Sequence, residues 1–159
     1  MKQKELSTWL KAIVVLGTAC VILLAGVIAP EYGREFAAGN PELAYMFWPC
    51  LVFIWISAVP VCAALVLVWQ IAVEIGRDNS FCHRNAERLR MIGILALSDT
   101  LLYIVGGTYL AMTNMLHISV FLLIVGIVSI GAALTVAAAA LSHLTRKAAD
   151  LKSENDLTI

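Results

Sequence analysis

Four long segments almost free of charge limit this chain to a very small set of folds. They cover about 10–29, 47–73, 91–115 and 118–141. The hydrocarbon core of a bilayer is about 30 Å thick and a helix rises about 1.5 Å per residue, so one crossing needs about 20 apolar residues. Each segment meets that length. A soluble domain carries about 25% charged residues. This chain has 14% charged and 61% apolar residues, too little polar surface to hide four such segments in water. Barrel strands would alternate polar and apolar residues, and these runs do not. The expected fold class is all-α: an integral membrane four-helix bundle, one membrane domain over 1–159, with a flexible cytoplasmic tail at about 148–159. Pro30 is expected to end the first crossing. Pro60 is expected to tilt or kink the second, because proline removes one backbone bond and crowds the preceding turn. The first segment is too long for a secretory leader and Pro30-Glu31 is a poor cleavage site, so the segment should be retained.

The basic residues give the orientation. Lys2, Lys4 and Lys11 precede the first segment; Arg77, Arg84, Arg88 and Arg90 lie between the second and third; Arg146, Lys147 and Lys152 follow the fourth. Only Arg34 falls on the other side, among Glu31, Glu35 and Glu42. The positive-inside rule then places both termini in the cytoplasm, as an even number of crossings requires. Trp9 and Trp69 fall at the expected inner interface and Tyr32, Tyr45 and Trp48 at the outer one, depths that amphipathic rings prefer. Ser129, Ala133 and Ala137 form a row of small residues on the fourth segment. Such rows let a neighbouring backbone come close. Packing within the bundle is the expectation here, and a homo-oligomer face the alternative.

Enzyme signatures are missing. Cys20, Cys50, Cys62 and Cys82 form no C-x-x-C pair and read as small packing residues. His83, His117 and His143 lie near segment ends rather than deep within them, so no metal is implied. There is no H-E-x-x-H, no G-x-S-x-G and no phosphate-cradling glycine loop. A formal net charge of zero gives no signal for direct nucleic-acid contact. No catalytic residue and no cofactor are therefore expected.

Two features remain. The first is Asp99, the only charged residue well inside a segment, about 12 Å from its inner edge. A charged carboxylate at that depth costs about 2.5–3.5 kcal/mol, so it should face the bundle interior. Tyr103 lies one turn further on, and counting residues puts Thr18 and Thr135 at a similar depth. Thr18, Asp99, Tyr103 and Thr135 are thus a candidate polar cluster for a proton, a cation or a small polar ligand, or else a structural carboxyl with its donors.

The second feature is the loop from Glu74 to Gly93. Asp78, Asn79 and Ser80 are helix N-cap candidates. From Phe81 the pattern is helical and should run on into the third crossing. Arg84 and Arg88 would lie against anionic head groups, each worth about 1 kcal/mol. Alternatively Phe81, Arg84, Asn85, Arg88 and Leu89 form a docking surface for a cytoplasmic protein. On this stretch Gly76, Phe81, Asn85, Leu89, Ile92 and Gly93 fit a recurrent order of glycine, phenylalanine and Asn-x-x-x-Leu-x-x-Ile-Gly. In this the chain resembles the bacterial membrane-protein family catalogued as domain of unknown function 2975. The resemblance covers nearly the whole chain and implies four crossings of the bacterial cytoplasmic (inner) membrane. It also implies a partner class, the small helix-turn-helix regulators beside which members often sit. It brings no enzymatic activity, and Asp99 is outside its pattern. A regulatory or sensory membrane protein acting with a cytoplasmic partner is the expected function. A small proton- or cation-coupled transporter using Asp99 is the alternative. A disulfide–quinone oxidoreductase would want paired cysteines in outward loops, and there are none.

Overall fold

The computed structural model describes residues 3–157. Five α-helices make the four crossings: α1 (Gln3–Leu23) continuing into α2 (Ala29–Gly39), then α3 (Phe47–Gly76), α4 (His83–Met112) and α5 (Ile118–Leu157). No strand is present among the described residues. A bilayer core offers no water to backbone polar groups, and helices satisfy those groups internally.

Pro30 does not end the first crossing. The chain passes it through a π-helical turn, Leu24–Ile28, and continues as α2 with Pro30 in its first turn. A wider turn lets the proline ring clear the carbonyl that an α-helix would press against it. One carbonyl is orphaned in the process. The Ala29 N–H bonds back to Leu24 O. The next donor in a π-helical pattern would be residue 30, which has no N–H. Ala25 O is met instead by the indole N–H of Trp55 on α3, at 3.0 Å.

α3 and α4 end in the same way. Asp78 (φ 58°) and Asn114 (φ 54°) take the left-handed conformation that usually selects glycine. Asn79 N bonds to Glu74 O and Asp78 N to Ile75 O; Met115 N bonds to Leu110 O and Asn114 N to Ala111 O. Both are Schellman closures, which satisfy the last carbonyls of a helix. Asp78 therefore terminates α3 rather than capping α4, whose N-cap is Cys82. α4 runs unbroken from the loop through the third crossing, as its periodicity predicts. Pro60 lies inside a continuous α3. The segment expected as a tail at about 148–159 is helical to Leu157. Ala149 is buried, and Asp150 Oδ1 lies 3.5 Å from His83 Nε2 at the start of α4, where the helix dipole favours a carboxylate.

The helices pack in chain order: α1 on α3, α3 on α4, α4 on α5. Among the described residues α1 makes no contact with α4 or α5. The accessible surface is 10931 Å². A compact soluble chain of 17.2 kDa would expose about 7,800 Å². The contact surfaces are lined with small residues. Gly93 of α4 lies against Ala138 of α5, and Gly131 of α5 against Thr100 of α4. The Ser129, Ala133 and Ala137 row is exposed instead of packed, because the face that meets α4 carries Gly131, Ala138 and Ser142. Phe53 of α3 rests on Gly106 and meets Tyr103 edge-to-face at 5.2 Å.

Replacing Trp55 with Phe keeps the ring and strands Ala25 O in apolar surroundings. The substitution is expected to lower unfolding stability in detergent by about 1–3 kcal/mol. An unchanged unfolding midpoint would mean that the carbonyl has another donor.

Candidate functional site at the basic loop

The most completely buried large side chain among the described residues is polar: Asn85, 1% exposed, in the first turn of α4. Its amide nitrogen donates to Asn79 O at 3.4 Å and to Ser80 O at 3.1 Å. Its amide oxygen accepts from Arg88 Nη1 at 3.0 Å. One side chain thus holds the loop to the helix that follows it.

Glu74, in the last turn of α3, supplies the negative charge. Its carboxylate, 12% exposed, lies 3.9 Å from Arg88 Nη1 and 3.9 Å from Arg84 Nη1. Asn79 Nδ2 donates to its other oxygen at 3.5 Å. The Arg88 guanidinium also donates to Gln70 O at 3.4 Å. The two arginines differ in setting. The Arg88 side chain is 16% exposed and that of Arg84 is 76% exposed. Charges drawn out of water in this way stay favourable only when paired and hydrogen-bonded, and the Glu74–Arg88–Asn85 arrangement meets that condition.

Three further contacts brace the loop. The Ser7 hydroxyl of α1 donates to Ala72 O of α3 at 2.7 Å, and it occupies the space that a Cβ on Gly76 would need. The Gln3 amide meets the Ser80 hydroxyl at 2.9 Å. From α5, the Ser142 hydroxyl donates to Ala86 O at 2.7 Å. Phe81 is left exposed at 58%. Leu89 is half-buried.

The four residues of the candidate intramembrane cluster are placed separately. The Thr18 hydroxyl donates to Val14 O and the Thr135 hydroxyl to Gly131 O, each within its own helix. α1 does not reach α4, so Thr18 is not brought to Asp99. Thr135 O lies beside Gly93, and the α4–α5 register that sets Gly131 at Thr100 puts Thr135 opposite Ala96, about one turn from Asp99. Tyr103 pairs with Ser57 of α3 at 3.2 Å. Oδ1 of Asp99 is buried without a hydrogen-bond partner among the described residues. The pairs Phe53–Gly106, Ser57–Tyr103 and Gln70–Arg88 set an antiparallel register that puts Pro60 at the depth of Asp99. Pro60 withholds a backbone donor from Ile56 O at that level.

Residue counting missed Glu74, Ser7, Ser57 and Ser142. For Glu74 a signal existed: an acidic residue closing an apolar crossing, followed by Arg84 and Arg88. Ser7 and Ser142 had none, since their partners are backbone carbonyls of other helices. No group of three or more His, Cys, Asp or Glu placed to hold a metal occurs among the described residues. The four cysteines are unpaired.

This geometry defines a multi-pass α-helical membrane protein whose polar centre lies at the end of the helices that carries the basic residues. The family model described as "Protein of unknown function" (DUF2975) matches residues 32–159, and the chain belongs to that family. It is similar to the "Uncharacterized membrane protein YoaS" of Bacillus subtilis (strain 168), 26% identical over 153 residues, covering 95% of this chain and 96% of that protein. No solved structure matches the chain.

Asn85→Ala removes two donors and one acceptor from a site closed to water. A loss of about 1–3 kcal/mol is expected, with faster amide hydrogen exchange over residues 77–86, whereas Glu87→Ala on the exposed face should change neither. Equal exchange in Asn85→Ala and the parent would show that the loop is held by other contacts.

Proposed function

We propose that this chain is a regulatory or sensory protein of the bacterial cytoplasmic membrane. Its termini and basic loop face the cytoplasm, and a protein partner docks on that loop. The observation that carries the proposal is a loop tied down by buried hydrogen bonds, with exposed anchors. Asn85, Arg88 and Glu74 fix the backbone, while Phe81 and Arg84 stand out from it. Aromatic and arginine side chains dominate binding energy at protein interfaces. A surface ordered in advance loses less entropy on docking. The basic loop favours a partner with an acidic face. The partner class is the small helix-turn-helix regulator, which alone would touch nucleic acid; this chain neither catalyses a reaction nor binds nucleic acid itself. Arg88 belongs to the scaffold and Arg84 to the surface. Purified regulator, from beside a family member, should bind the detergent-solubilised parent. The Phe81→Ala/Arg84→Ala variant should bind it about tenfold or more weakly. Equal binding by both proteins would remove the loop from the interface.

A second reading, a small proton- or cation-coupled transporter, is favoured by Asp99 alone, whose buried Oδ1 has no partner among the described residues. Under it, Asp99→Asn should abolish pH-gradient-driven flux in proteoliposomes. Equal flux in variant and parent would take Asp99 out of the transport step.

A further inference from the structure

A groove of about 310 Å³ runs along the outside of the α4–α5 pair at its basic end. It exists because Gly93 of α4 and Ala139 of α5 put no bulk between the two helices. Its floor and walls include Ile94, Leu97 and Thr135. From Arg90 to Leu97 it follows α4 for about 10 Å. Its mouth is different in character: Arg90 from α4 and His143 and Arg146 from α5 all line it. The nearest acidic group on α5, Asp150, is turned to His83. On α4, exposed Glu87 lies one turn before Arg90, but the lining itself carries Arg90 and Arg146 and no acidic residue. The mouth also falls where the apolar stretches of α4 and α5 begin and end, at Met91 and Leu141, which is the head-group level of a bilayer.

We propose that this groove is a binding site for one anionic phospholipid of the leaflet at the basic end. Its phosphate sits among Arg90, His143 and Arg146, and the first part of an acyl chain lies along Gly93, Ile94 and Leu97. An apolar channel opening to lipid and rimmed by cations from two helices matches both halves of such a molecule. A free phosphate would use only the rim. An isolated basic collar attracts anionic lipid diffusely, whereas this groove binds one molecule and saturates. The site is separate from Phe81 and Arg84, so it does not depend on the partner proposed above.

The test uses the full chain in phosphatidylcholine nanodiscs titrated with phosphatidylglycerol, with retained lipid counted by native mass spectrometry. One phosphatidylglycerol per chain should be retained saturably. Arg90→Gln/Arg146→Gln should weaken retention roughly fivefold for each arginine removed. Arg77→Gln/Lys152→Gln, which removes the same charge outside the groove, should leave it within about twofold. Ala139→Trp fills the apolar channel with the charges kept and should abolish retention; Ile94→Trp fills it from the α4 wall if the first variant does not assemble. Added inorganic phosphate should not compete. Equal loss in both charge variants would leave only a diffuse collar. Full retention with the channel filled, or displacement by phosphate, would reduce the site to an anion contact. Each of these results overturns the proposal.

Discussion

Lipid tails are as apolar as leucine, so burying leucine between helices gains little in a bilayer, and association must come from close packing and polar contacts. Most of this structure depends on that constraint. Most of the residues buried between helices are small or polar: Ala72, Ala86 and Ala138 among the first, Ser7, Ser57, Asn85 and Thr100 among the second, with Val14 and Leu51 the larger apolar ones. The large apolar side chains point outward, as Leu16, Val59, Val105 and Val136 do. Hydroxyls bond to carbonyls of a neighbouring helix at two places, Ser7 to Ala72 O and Ser142 to Ala86 O, and both lie at the basic end. At the other end the hairpin between α4 and α5 is closed by backbone bonds around Asn114. Further out, α3 is fastened by Trp55 to Ala25 O and by Ser57 to Tyr103, so it is the hydroxyl-to-carbonyl fastening, among the described residues, that is asymmetric.

That asymmetry explains why the four crossings were readable in the sequence and their mutual arrangement was not. Length and apolar character are properties of each segment, and so is the continuity of α4 from the loop into the crossing. Pro30 was misleading because its effect is not local. The helix survives it by widening, and the carbonyl so freed is met by Trp55, 30 positions away in sequence. The depth estimate puts Thr135 about one turn from its observed level, because depth along a segment does not fix the register of two helices. A close approach at Gly131 and Thr100 sets that register, and sequence spacing does not report it. The Ser129, Ala133 and Ala137 row failed similarly: a helix with small residues on several faces does not declare which one meets its neighbour. Arg84 and Arg88 look alike in the sequence because both lie one turn apart on a basic helix, yet only Arg88 lies close enough to Gln70 O and Asn85 Oδ1 to be drawn inside.

Two buried polar groups at different depths show what the environment demands. Asn85 has its two donors and its acceptor matched, and it sits where the chain must turn back into the membrane. Asp99 sits mid-span with Oδ1 unmatched, next to Thr100, which is tightly packed. Packing explains Thr100, whose hydroxyl and Cβ fill the space over Gly131. Packing does not explain Asp99, since an apolar residue of similar size would avoid the cost of a carboxyl at that depth.

The family motif can be sorted by the same criterion. Gly76 makes room for Ser7, Gly93 makes room for Ala138, and Asn85 ties the loop to α4. Leu89 and Ile92 are half-buried on α4. Each of these residues is accounted for by the way the chain folds, and so the motif chiefly specifies a scaffold. Phe81 is the exception. It is the one motif residue that is exposed, and an exposed phenylalanine contributes nothing to the packing of the helices. A residue that belongs to the pattern but not to the packing is where a role outside the fold has to be sought, and the scaffold around it holds it in a fixed position beside Arg84.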